Sequence, residues 1–174
     1  MSMKHSEVEE AFKRHGPQVL HRARGLLGDL DEAKDVLQEV FISFAQLAAF
    51  DVRRGSVSTW LYRVTTNRCL NRLRDADRRR HLATLRARTM DAVVLGTDAD
   101  TRILVRALLA GAEERSAEAA VYVHVDGMSH AEAAELLGVS RKTVGNLLER
   151  FGRHAARSTG RDDELRSEEL EEPA

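Results

Sequence analysis

No proline occurs between Pro17 and Pro173, so nothing in the intervening chain forces a helix to break. Aromatic residues make up only 5% of the 174 residues, and Ala, Leu, Arg and Glu are abundant. Together these features predict an all-α fold. At roughly 100 to 150 residues per domain, a chain of this length can bury one or two small cores, and composition alone does not choose between them.

Local signals divide the chain. Ser6 and Glu9 form a candidate capping box for a short first helix carrying Val8 and Phe12. Pro17 suits the first position of a second helix, which Gly28 ends after Leu27. A third helix is expected over Asp31–Phe50, with acids in its first turn. The connector DVRRGSVS supplies Gly55 for a turn and Ser56 or Ser58 as a cap for a helix running to Arg80. Periodicity fades between His81 and Asp100, where Gly96, Thr97 and Asp98 cluster, and this stretch reads as a linker. The expected organisation is therefore a four-helix domain over 1–80, a linker over 81–100, a second domain over 101–157 and a tail over 158–174.

The helix before that linker carries the most specific pattern. At about 100° per residue, Leu61, Tyr62, Thr65, Cys69 and Leu73 share one side and form a core face. Trp60, Arg63, Asn67, Asn71 and Arg74 form a stripe opposite. An indole, two guanidiniums and two carboxamides in line can stack on bases, pair with phosphates and read base edges. The plainer alternative makes Trp60 a core residue and the arginines a solvated face. Charge density argues for the first reading: from Arg63 to Arg88 there are nine Arg and two acids, the footprint of a surface that holds a polyanion.

The third helix has a core face of Val36, Val40, Phe41, Phe44 and Leu47. Its other side, Asp31, Asp35, Gln38, Glu39, Ile42 and Gln46, is an acidic stripe containing one large apolar residue. It reads either as a docking surface or as a solvated face with a stray Ile.

In the second half, Thr101–Glu114 is an expected helix with Ile103, Leu104, Ala107 and Leu108 on its apolar side, and Ser116 can cap another that runs to Asp126. AVYVHV before Asp126-Gly127 alternates as a strand would, but no partner strand is visible, so helix is preferred. From Met128 the signals agree. Ser129 with Glu132 makes a capping box, Ala133, Ala134, Leu136 and Leu137 an apolar side, Gly138 a helix end, and Val139 a buried turn residue. Ser140 caps a last helix with Val144, Leu147, Leu148 and Phe151 on one face. Helix, short Gly-containing turn and helix is the spacing of a helix-turn-helix, for which a generic helical hairpin is the alternative. Lys142, Asn146, Glu149 and Arg153 lie opposite the buried face, flanked by Arg141 and Arg150, and these types can contact phosphates and base edges.

Charge is nearly balanced overall, at 27 basic against 28 acidic residues, but Arg161–Ala174 alone holds two basic and seven acidic groups. This acidic segment lacks apolar periodicity and reads as a disordered tail, either solubilising or folding back on the basic surfaces. Cys69 is the only cysteine, which excludes a disulfide framework, and the scattered His suggest no metal site. No cofactor is expected. No apolar run approaches the ~18 residues of a membrane span, so a cytoplasmic protein without membrane insertion is expected.

The order DEAKDVLQEVF (31–41), FDVRRGSVSTWLYRVTTNRCLNRLR (50–74) and GMSHAEAAELLGVSRKTVGNLL (127–148) resembles the extracytoplasmic-function (ECF) sigma factors of bacterial RNA polymerase. The resemblance implies that Asp31, Asp35, Gln38, Glu39 and Ile42 dock on the clamp helices of the core polymerase. It implies that Arg53, Arg54, Ser56 and Ser58, with the stripe Trp60, Arg63, Asn67, Asn71 and Arg74, contact the minus-ten promoter element, with a base of the non-template strand captured out of the stack. It places Ser140, Arg141, Lys142, Thr143, Asn146, Glu149, Arg150 and Arg153 at the minus-thirty-five element and makes an anti-sigma protein a candidate partner. Positions 145 and 147, often basic in the family, are Gly145 and Leu147 here.

The leading expectation is thus a promoter-recognition subunit, acting by binding and without a catalytic residue. A helix-turn-helix regulator independent of core polymerase is the alternative, and it would leave the Trp60 stripe unexplained. An enzyme is disfavoured, because the sequence offers no phosphate loop, metal set, or nucleophile with a base.

Overall fold

A computed structural model describes residues 5–47, 56–86 and 98–160. Among these the protein is helical throughout, without a strand. Seven α-helices follow in order: α1 (His5–Leu27), α2 (Leu30–Ala45), α3 (Val57–Arg86), α4 (Asp98–Gly111), α5 (Glu114–Ala120), α6 (His130–Leu137) and α7 (Arg141–Thr159), with a π-helical turn at Val121–Val125 after α5. The chain divides into two compact units, Met1–Ala76 and Asp77–Ala174. No described helix is long and apolar enough to cross a membrane.

In the first unit the two helices expected before Gly28 are one. Pro17 lies inside α1, and Ser6 within its first turn rather than at its cap. A proline normally disfavours helical backbone in the residue before it, through a clash with that residue's Cβ and N–H. Here that residue is the buried Gly16, which has no Cβ, and the helix passes through. The described part of this unit therefore holds three helices, not four. Gly28, at φ 79°, ends α1, and Asp29 caps α2 by accepting from the amides of Asp31 and Glu32.

The core of this unit joins three faces. Val19, Ala23, Leu26 and Leu27 of α1 meet Ala33, Val36, Val40, Phe41 and Phe44 of α2. Leu61, Thr65, Cys69, Leu70 and Leu73 of α3 complete it. The buried hydroxyls of Thr65 and Thr66 donate to the carbonyls of Leu61 and Tyr62 at 2.6 and 2.9 Å, so neither is left unsatisfied. Phe12, although 45% exposed, packs edge-on against Phe41 at 4.9 Å.

Within the stretch 81–100 expected as a linker, residues 81–86 continue α3 and residues 98–100 open α4. In the second unit α4 buries Leu109 and Ala110, while Ile103 is exposed. Ser116 is a buried interior residue of α5, not its cap, and Glu113 occupies the capping position without accepting a capping hydrogen bond from the helix amides. The AVYVHV segment is helical, and its β-branched residues adopt the wide π-turn closed by the Asp126 amide donating to the Val121 carbonyl at 3.0 Å. Tyr122, Val121, Ala133, Leu137, Val144 and Leu147 form the core beneath α6 and α7. Val139 is only half-buried. Helix α7 extends through Ser158 and Thr159, two residues assigned to the tail, before Gly160 ends it at φ 72°.

Candidate nucleic-acid and polymerase interfaces

Helix α2 turns most of the expected acidic stripe outward. Asp31, Asp35 and Gln38 are exposed, and Ile42 is 56% exposed among them. Glu39 departs from this pattern. Its carboxylate turns toward α3, where Oε2 accepts from Arg68 Nη1 at 3.0 Å and Oε1 from Arg72 Nη2 at 2.5 Å. Arg72 also approaches Asp35 at 3.7 Å, and Arg68 donates to Ser43 Oγ at 2.6 Å. Glu39 is thus a structural tie between α2 and α3 as well as a member of the stripe.

The same contacts revise the reading of the arginine run. Two of its nine guanidiniums, Arg68 and Arg72, are committed to the carboxylates of α2. The i, i+4 spacing of Arg68 and Arg72 was legible in the sequence, but nothing there pointed to their partners 29 and 33 residues away. Arg22 was likewise missed. It stacks 3.7 Å over the Tyr62 ring and donates to Thr66 Oγ1 at 2.9 Å, fastening α1 to α3.

The stripe on α3 is partly open. Arg63 and Asn71 are exposed; Trp60, Asn67 and Arg74 are half-buried. The Trp60 ring leans on Phe44, with centroids 5.5 Å apart and planes 49° apart. Part of the indole therefore belongs to the core, and the rest of the half-buried ring stays accessible. Arg74 donates to Asn71 Oδ1 at 2.6 Å, pre-orienting the carboxamide. Asn67 Oδ1, Arg68 Nε and Arg74 Nη2 are buried without a hydrogen-bond partner among the described residues. Ser56 is the cap of α3: its Oγ accepts from the Thr59 amide at 3.1 Å. Ser58 borders a small cavity of about 50 Å³ between α1 and α3, beside Arg22 and Tyr62. Arg53 and Arg54 lie outside the described residues.

In the second unit α6 and α7 form the helix-turn-helix. Ser129 Oγ accepts from the Glu132 amide while the Glu132 carboxylate accepts from the Ser129 amide at 2.8 Å, completing the capping box. The Ser129 hydroxyl also donates to the Glu132 carboxylate at 2.7 Å, and this bond, with the smaller help of the Ser129 amide, holds the Glu132 carboxyl below the usual carboxylate range. Gly138, at φ 66°, makes the turn that places Ser140 at the cap of α7. Ser140 Oγ accepts from the Thr143 amide at 3.1 Å and lies 2.9 Å from Thr143 Oγ1, so both side chains are engaged in shaping the helix start. Arg141, Lys142, Asn146, Glu149, Arg150 and Arg153 are exposed along α7. Arg150 pairs with Glu113 at 3.2 Å. Among the described residues no group of three His, Cys, Asp or Glu is placed to hold a metal ion.

Residues 11–79 match the Sigma-70 region 2 family model and 104–150 the Sigma-70 region 4 model. The chain is 30% identical over 152 residues to the ECF RNA polymerase sigma factor SigM of Mycobacterium tuberculosis, covering 87% of this chain and 76% of the relative. The chain belongs to the ECF sigma factors. A second relative, SigW of Bacillus subtilis, is 27% identical over 171 residues, covering 90% of this chain and 89% of that one. Among solved structures, CnrH in complex with the cytosolic domain of CnrY aligns at a TM-score of 0.52 and 22% identity over 91% of each chain, a likeness of fold. Within an ECF sigma factor the two matched regions fall on the two units carrying the α2–α3 and α6–α7 surfaces.

Proposed function

We propose that this ECF sigma factor divides its work among three surfaces. The exposed face of α2, with Asp31, Asp35, Gln38 and Ile42 and the edge of Glu39, docks on core RNA polymerase. An exposed apolar residue ringed by acids suits a partner helix that offers an apolar contact and basic groups. The face of α3, with Trp60, Arg63, Asn67, Asn71 and Arg74, and with Arg53, Arg54, Ser56 and Ser58 leading into it, holds the opened minus-ten strand. Unpairing a base costs a few kcal/mol, and stacking worth about 1–3 kcal/mol per base plus edge hydrogen bonds repays it.

Helix α7 lies in the major groove at the minus-thirty-five element. Arg141, Lys142, Arg150 and Arg153 contact phosphates or guanine, Asn146 and Glu149 contact base edges, and Ser140 and Thr143 set the helix start. Two modest DNA contacts on one chain reinforce each other through effective concentration. The protein opens DNA by binding alone, in the cytoplasm, and an anti-sigma protein is a partner that could cover these surfaces.

The observation that supports this division best is that α2 exposes an acidic face and α3 a cationic, amide-bearing one, the two helices being joined through the Glu39–Arg68–Arg72 tie. Run-off transcription with core polymerase tests it. Initiation at a defined promoter that disappears when this protein is omitted is the expected result. Operator binding with no polymerase-dependent initiation would replace the proposal with a conventional helix-turn-helix regulator.

A further inference from the structure

A cationic cleft of about 250 Å³ lies between the start of α5 and the C-terminal half of α7, lined by Arg150, Arg153, His154 and Arg157, with Glu113 and Ser116 opposite. Arg153 and Arg157 are exposed, and Glu113, paired with Arg150, is the acid on its rim. Helix α7 as a whole carries five Lys or Arg against Glu149 alone. The segment 161–174, joined to α7 at Gly160, carries seven acids and two arginines in two blocks, Asp162-Asp163-Glu164 and Glu168–Glu172.

We infer that the acidic segment 161–174 docks on the cationic side of α7, first in the Arg150–Arg153–Arg157 cleft, and competes there with DNA phosphate. This inference rests on the reading of α7 as a DNA-binding helix and adds its regulation. Geometry allows it: Gly160 adopts a left-handed turn at φ 72°, so the chain need not continue along the helix axis. Arg157 lies three residues before Gly160, or about 4.5 Å along the axis at 1.5 Å per residue, and Arg153 about 10 Å. Twelve extended residues, from Gly160 to Glu172, reach about 40 Å, enough to bring the second acidic block back over the ~28 Å of axis to the Arg141–Lys142 end of α7. The first block therefore meets the cleft and the second the groove-facing start of the helix.

The tether supplies the affinity. A segment held at an effective concentration of about 1 mM, with an intrinsic Kd of a few tenths of a millimolar, lowers the affinity of a competing ligand about 3- to 10-fold. Because the contact is ionic and exposed, it weakens within the range where salt shortens the Debye length to about 8 Å. Deep in a polymerase–promoter complex, phosphates outcompete the tail; for the protein alone, the tail suppresses indiscriminate DNA binding.

The test uses the full chain with Asp162, Asp163, Glu164, Glu168, Glu169, Glu171 and Glu172 replaced by Asn or Gln, compared with the parent. Binding to a fluorescein-labelled duplex is followed by anisotropy, and the side-chain Nε–H signals of Arg153 and Arg157 by NMR. Neutralising the tail is expected to tighten duplex binding about 3- to 10-fold at about 50 mM salt, with the gap closing near 200 mM, and to shift both arginine signals. Equal affinities with unmoved signals overturn the docking while leaving α7 as a DNA-binding helix. Tighter binding with unmoved signals also overturns it, since the tail would then act only through charge at a distance. If neither protein binds duplex DNA at low salt, the DNA-binding reading of α7 fails and the tail inference with it.

Discussion

Glu39→Ala separates a structural role from a docking role at one residue. The substitution removes the partner of two guanidiniums, at 3.0 Å from Arg68 and 2.5 Å from Arg72, with all three side chains 28–40% exposed. Exposed pairs contribute about 0.2–1 kcal/mol and hydrogen bonds to charged groups about 1.5–3 kcal/mol. At this intermediate exposure each pair is worth about 1 kcal/mol, and because Arg68 Nε is already buried without a partner, the loss should not fall below their sum. A loss of about 2 kcal/mol in a unit of this size lowers its melting temperature by about 8–16 °C. Circular dichroism and calorimetry on the purified chain read that shift, and a double-mutant cycle with Arg72→Ala should return a coupling of about 1 kcal/mol. Melting within about 1 °C of the parent, together with a large loss of affinity for core polymerase, would refute the tie and make Glu39 a docking carboxylate only.

Other outcomes follow from the same contacts. Phe44→Ala, which empties the site under Trp60 and beside Phe41, should cost about 3–5 kcal/mol and release the Trp60 fluorescence from its packed environment. Burial pushes the Cys69 thiol up to about 12, so it should resist a thiol reagent in the folded protein and react only at the rate of opening. The sign on stability is fixed by that shift: the folded state keeps its proton longer than the unfolded, so stability falls as pH rises from the ordinary thiol range toward about 12. Glu132 has the opposite sense. Its carboxyl is held below the usual range, so its contribution is present above that range and is lost as pH falls through its folded value; Ser129→Ala should raise its NMR titration midpoint. Gly145 has open space where a Cβ would stand, so Gly145→Lys should stabilise α7 by roughly 0.5–1 kcal/mol and tighten minus-thirty-five binding with a steeper salt dependence.

Much of this was legible because periodicity and capping are local. The core faces of α2 and α3, the Ser129–Glu132 box, the Gly138 turn and the Ser140 cap each depend on residues within one turn of each other. The misreadings arose where a neighbour in space, or a missing atom, overrode a local rule. Pro17 failed to start a helix because Gly16 before it has no Cβ to clash. Ser116 was not a cap, because α5 begins two residues earlier and buries it. Arg68 and Arg72 counted toward a polyanion surface until the fold brought Glu39 to them. Trp60 could not be assigned to core or surface from a helical projection, since its ring straddles the edge between Phe44 and solvent.

The claim on which the account rests is that the α3 face holds a separated DNA strand. Permanganate footprinting of the minus-ten thymines, on a promoter opened by the parent protein with core polymerase, measures it directly. Asn67→Ala and Arg63→Ala are expected to reduce thymine reactivity at least about 10-fold, the loss of roughly 1.4 kcal/mol, while core binding in a parallel titration stays unchanged. Full reactivity with both variants, or a matching loss of core binding, would contradict it.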